Sequence, residues 1–80
     1  MPRYRAVWVE VAREHYVGLP AATREQIDAR IEQLLENPRQ PHSAYDEATD
    51  QWTTTYGAGA GLIVYAVVHE HQRLIILRLV

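Results

Sequence analysis

The stretch Gly61-Leu62-Ile63-Val64-Tyr65-Ala66-Val67-Val68, His69-Glu70-His71-Gln72-Arg73, Leu74-Ile75-Ile76-Leu77-Arg78-Leu79-Val80 decides the fold. Two runs of β-branched, aliphatic and aromatic residues flank a short polar break, which predicts a β-hairpin. A strand with one wet face alternates apolar with polar residues, and neither run does. Leu62, Val64, Ala66 and Val68 point one way, while Ile63, Tyr65 and Val67 point the other. In the last run Leu74 and Ile76 oppose Ile75, Leu77 and Leu79. Both faces of the hairpin therefore ask for cover.

The rest of the chain has little to offer. Its 80 residues predict one domain over 1–80 with one core, burying roughly 60–65% of the unfolded surface. A core this small gains from a partner or from a second copy of the chain. Cysteine is absent, which excludes disulfides, thiolate metal sites and cysteine nucleophiles. No long uncharged apolar run and no signal-type N-terminus occur, so the expected setting is the cytoplasm, away from membranes. All eight basic residues are arginine, which rules out lysine Schiff-base and phosphate-loop chemistry. The net charge of −2 argues against a general nucleic-acid binder.

Upstream, Tyr4 to Val11 predicts a first strand, with Val7, Val9 and Val11 facing away from Tyr4, Ala6 and Trp8. From Glu10 to Leu19 the period changes, and Ala12, Tyr16 and Leu19 predict a short helix. Gly18-Leu19-Pro20 is a break whose proline suits the first turn of a second helix, Ala21 to Asn37. Ile27, Ile31, Leu34 and Leu35 form the buried stripe of that helix. Pro38 stops it, because proline disfavours helix in the residue before it. Glu25, Asp28, Glu32 and Glu36 make an acidic ridge that faces water, since like charges four apart repel.

A polar connection runs to Asp50, and Gln51 to Tyr56 then alternates as a strand. Gly57-Ala58-Gly59-Ala60-Gly61 reads as a tight turn. It lacks the lysine and the following helix of a phosphate cradle. The order β-α-α-β-β-β predicts an α+β fold, a helical hairpin packed on one face of a small, mainly antiparallel four-stranded sheet. The other face is left over.

This succession resembles the RelE/ParE superfamily of type II toxins. The resemblance is carried by the leading strand, Ala12 and Tyr16, Leu19-Pro20, Arg24-Glu25-Gln26-Ile27, Leu34-Leu35-Glu36-Asn37-Pro38-Arg39 and Ile63-Val64-Tyr65. It implies a toxin held inactive by a cognate antitoxin. RelE-like members cut mRNA in the ribosomal decoding site, whereas ParE-like members act on DNA gyrase. The resemblance also puts an arginine directly before the aliphatic pair and tyrosine, where this chain has Leu62. A basic tail with a tyrosine or histidine would follow Val80.

With Leu62 in that place, the chemistry left to the residues gathers around the hairpin turn. His69, His71, Arg73 and Arg78 are the catalytic candidates: a histidine as acid or base, an arginine for phosphate. The plainer reading of His69 to Arg73 is a solvated turn. Arg78, inside an apolar strand, needs a carboxylate, a ligand or solvent. No metal or other cofactor is expected, because two histidines are too few and neither His15 nor His42 joins them by spacing. Trp8, Tyr16, Trp52 and Tyr65 could stack on bases but fit a core better.

The expectation is a growth-inhibiting toxin acting as a ribosome-associated mRNA endoribonuclease with non-standard catalytic residues. The alternatives are a gyrase inhibitor or a catalytically silent binder. An uncovered apolar sheet face marks a partner site, so Leu62, Val64, Ala66 and Arg78 are expected to meet the antitoxin. A homodimer is the other candidate cover.

Overall fold

A computed structural model describes residues 3–80. The elements run β1 (Arg5–Trp8), α1 (Glu10–Val17), α2 (Ala21–Glu36), β2 (Ser43–Asp46), β3 (Gln51–Tyr56), β4 (Gly61–Val68) and β5 (Arg73–Leu79). A single turn of 3-10 helix, His69–His71, separates the last two strands. The sheet has five strands in the order β1-β5-β4-β3-β2, one more than the four expected. The addition is β2, an edge strand inside the polar connection, paired antiparallel to β3 through Ser43–Thr54 and Asp46–Gln51. Three of its four residues are exposed, so no apolar pattern marks it. The sheet is mixed because β1 runs parallel to β5.

Both helices pack on the face that carries Ile63, Tyr65, Leu74 and Ile76, and these four residues are fully buried. The stripe of α2 is confirmed at Ile27, Ile31 and Leu34, with Leu35 partly buried against the same cluster. Asn37 leaves the helix in extended geometry just before Pro38. The acidic ridge faces solvent but is not idle. Asp28 accepts the Tyr16 hydroxyl at 2.6 Å, which pushes the Tyr16 pKa up. Arg3 pairs with Glu32 and lies 3.6 Å from Glu36.

Strict alternation would aim Arg78 into the core beside Leu74 and Ile76, and Leu79 out of it. The structure reverses both. Tyr65 pairs with Ile76, but the next residues in register are Val64 with Arg78 and Ile63 with Leu79. Leu77 is the extra residue of a β-bulge, which shifts the alternation by one position. Leu79 is thereby buried at 5% exposure, and Arg78 stands exposed on the opposite face. Burying an unpaired guanidinium costs far more than a local kink.

At the other end of β4, the Tyr56 ring lies across Gly61, its cross-strand partner. A Cβ on Gly61 would come within 2.5 Å of the Tyr56 hydroxyl oxygen, so only glycine fits.

Candidate functional site

The helix-free face is where the expected partner residues meet. Register places Leu62 opposite Thr55, Val64 between Thr53 and Arg78, and Ala66 opposite Ile75. Leu62, Val64, Ala66 and Arg78 thus form one contiguous set on this face. Its centre is closed: Val64 is only 5% exposed, shielded by its strand neighbours. Leu62, Val7 and Val80 remain exposed around it, with Ala66, Val68 and Ile75 half-buried. Arg5 and Arg73 are register partners on β1 and β5, and with Arg78 they give this face three cations. Glu10, Glu14, Glu25, Asp28, Glu32 and Glu36 all lie on the helices. The charge of −2 therefore hides two unlike sides, an acidic helical layer and a sheet face whose central strands are apolar and cationic.

The four catalytic candidates divide into two places. His69, His71 and Arg73 sit at the β4–β5 turn, whereas Arg78 lies about 15 Å along the strand. His71 is exposed, and its carbonyl accepts a hydrogen bond from Arg73 Nη1 at 2.8 Å. His69 is held more firmly. Its Nδ1 is 2.9 Å from the Tyr4 hydroxyl, and the two rings meet edge to face with centroids 6.1 Å apart. This bond selects the tautomer. If the hydroxyl donates, Nε2 carries the proton of a neutral imidazole and is not free to accept another. If Nδ1–H donates, Nε2 is a base.

Tyr4 is a partner of His69 that the sequence did not reveal, because 65 residues separate the two. The parallel pairing of β1 with β5, extended by the Arg5 amide donating to the Gln72 carbonyl at 2.9 Å, brings them together. Arg39, after α2, lines two grooves at this end together with His69. It is a further cation at the His69 end, where Arg78 is not. This end of the molecule can move a proton and hold an anion. The helix-free face can bind: Leu62 lies there between Thr55 and Val80, and the carboxylate on this face is Asp46 at the β2 edge, far from His69.

Other polar clusters hold the fold. Arg30 donates to Thr54 Oγ1 at 2.7 and 3.1 Å, to Gln33 Oε1 at 2.6 Å and to the Pro41 carbonyl at 2.6 Å, tying α2 to β3. Tyr65 donates its hydroxyl to the Pro38 carbonyl at 2.6 Å, and burial pushes its pKa up. Among the described residues, no group of three or more His, Cys, Asp or Glu could hold a metal ion, and no helix is long and apolar enough to cross a membrane.

Comparison with solved structures decides the fold family. The isolated E. coli RelE toxin matches with a TM-score of 0.82 at 21% identity, over 95% of this chain and 81% of that one. This is the RelE fold. The RelBE2 toxin–antitoxin complex of Mycobacterium tuberculosis matches at 0.81 and 19% identity, over 96% and 95% of the two chains. The archaeal RelE–RelB complex of Pyrococcus horikoshii matches at 0.72 and 19% identity, over 99% and 93%. No family model matches the sequence, and no curated protein matches it significantly. The RelE-like architecture reaches from β1 to β5.

Proposed function

We propose that this protein is the toxin of a toxin–antitoxin pair, and that it inhibits growth as a ribosome-associated mRNA endoribonuclease. One observation carries the reading: a RelE-like sheet has a helix-free face on which exposed Leu62 adjoins Val64, Ala66 and Arg78. An apolar strip framed by Arg5, Arg73 and Arg78 suits an antitoxin segment that alternates apolar with acidic residues. RelE folds found in complex with RelB support a partner of that kind.

Cleavage falls to the turn. His69, oriented by Tyr4, takes the proton of a ribose 2′-hydroxyl, whose oxygen bonds to the adjacent phosphorus. The 5′-oxygen leaves with a proton from His71, producing a 2′,3′-cyclic phosphate. Arg73 offsets the charge that develops on the phosphoryl oxygens, and Arg78 contacts the RNA backbone from the sheet. The test is induction in one culture with mRNA integrity and plasmid supercoiling both read. The reading expects growth arrest with cleaved mRNA, and both effects fall at least tenfold in His69→Ala. Arrest with intact mRNA and altered supercoiling would assign the protein to gyrase, and no arrest would leave a binding role alone.

A further inference from the structure

Beyond the C-terminal end of α2, a groove of about 670 Å³ opens between the β2–β3 hairpin and the β4–β5 turn. Its walls include Tyr45, Trp52, Arg39, Asp50, His69 and Glu70. Tyr45, Trp52 and Tyr65 form a row of rings across three strands. Trp52 stacks on Tyr65 at 6.3 Å with 16° between planes, and Tyr45 tilts against Trp52 at 5.1 Å. Tyr65 anchors this row in the core, while Trp52 is half-buried and Tyr45 is 48% exposed. The row is thus an aromatic wall fixed at one end and open at the other. The Tyr45 hydroxyl donates to Asp50 Oδ1 at 2.6 Å, which holds the ring in place.

The polar groups here are unspent. Among the described residues, neither the Arg39 guanidinium nor the Glu70 carboxylate has a hydrogen-bond or ion-pair partner, and the second oxygen of Asp50 is free. Free phosphate would meet two carboxylates and be repelled. A purely apolar ligand would waste these three polar groups. A ligand with a planar ring, N–H donors on its edge and an anion at one end satisfies all of them. That description is a nucleotide, and the volume suits one.

We propose that this groove is a nucleotide-binding site, in which the base lies against Tyr45 and Trp52, its amino group faces Glu70 or Asp50, and its phosphate meets Arg39. The proposal rests on the RNA reading above and names where a substrate base is held, on the side of the sheet away from Leu62. Aromatic side chains and unstacked bases are the usual partners in single-strand RNA recognition. The carboxylates select for adenine, guanine and cytosine over uracil, which has no exocyclic amino group.

Calorimetry with AMP, GMP, CMP and UMP, and with the matching nucleosides, tests it on the intact protein. Saturable binding is expected for the three amino-bearing nucleotides and weaker binding for UMP. Trp52→Ala should weaken binding about tenfold or more. Tyr45→Ala and Arg39→Ala alter exposed residues and keep the fold. The first should weaken all nucleotides, and the second should erase the advantage of CMP over cytidine. Glu70→Gln should narrow the gap between CMP and UMP. No saturable binding, or wild-type affinity in both Tyr45→Ala and Trp52→Ala, overturns the site. Growth arrest and mRNA cleavage without nucleotide binding would remove this groove and keep the toxin. Nucleotide binding without arrest would do the reverse.

Discussion

The two faces of one sheet differ in how they are finished. On the helix side, Ile63, Tyr65, Leu74 and Ile76 are closed over by α1 and α2, and the buried Tyr65 hydroxyl has its acceptor in Pro38. On the other side, Leu62 and Val7 stay exposed and three arginines stand without a carboxylate on β1, β4 or β5. The strands are the same, so the contrast is not one of β propensity. It comes from where the helices lie: α1 and α2 both pack on the face of Ile63, Tyr65, Leu74 and Ile76. A surface left both apolar and cationic is the one the proposed partner would cover.

The bulge at Leu77 keeps the two faces distinct, and deletions give the largest effect. Removing Leu77 leaves a regular ladder, with Leu79 still inward and Arg78 still outward. That variant is expected to unfold cooperatively in urea, like the parent. Removing Val67, a regular position, slips the register and sends one face's residues to the other. That variant is expected to show no folded baseline. If the two deletions behave alike, the bulge is not what sorts the faces.

Neighbours on β4 sharpen the contrast. Ile63→Ala removes a fully buried side chain and should cost about 2–5 kcal/mol. Leu62→Ala, one residue away and 36% exposed, should cost under about 1 kcal/mol. Equal losses in urea titrations would mean that the open face is as much a core as the closed one.

A smaller effect is expected at Tyr65. Tyr65→Phe leaves the Pro38 carbonyl without its donor and should cost about 1–3 kcal/mol. Because burial raises the folded pKa of Tyr65, its share of stability is complete below the unfolded value near 10 and is lost as pH rises through the folded one. The parent should therefore lose stability in alkali more steeply than Tyr65→Phe, as read from urea midpoints against pH.

The helices, the breaks at Pro20 and Pro38, β3 and the terminal hairpin were all legible in the sequence, because period and proline are local signals. The surplus sheet face was legible for the same reason. The edge strand β2 was not, since Ser43 to Asp46 carries no apolar alternation and exists only through its pairing with β3. Nor was the inward turn of Leu79, because a bulge has no local signature when aliphatic residues surround it. The site fared worse. The set expected to meet an antitoxin falls together on one face, but the four expected catalytic residues split, and Tyr4 and Arg39 come to the His69 end only through tertiary structure.

The affinity of a cognate antitoxin, identified as the protein whose co-expression relieves growth arrest, for the parent and for Leu62→Asp, measured by calorimetry, tests the central claim most directly. If the helix-free face is the docking surface, the substitution leaves the fold intact and weakens binding at least a hundredfold, about 2.7 kcal/mol. Wild-type affinity in a folded Leu62→Asp protein would contradict the account.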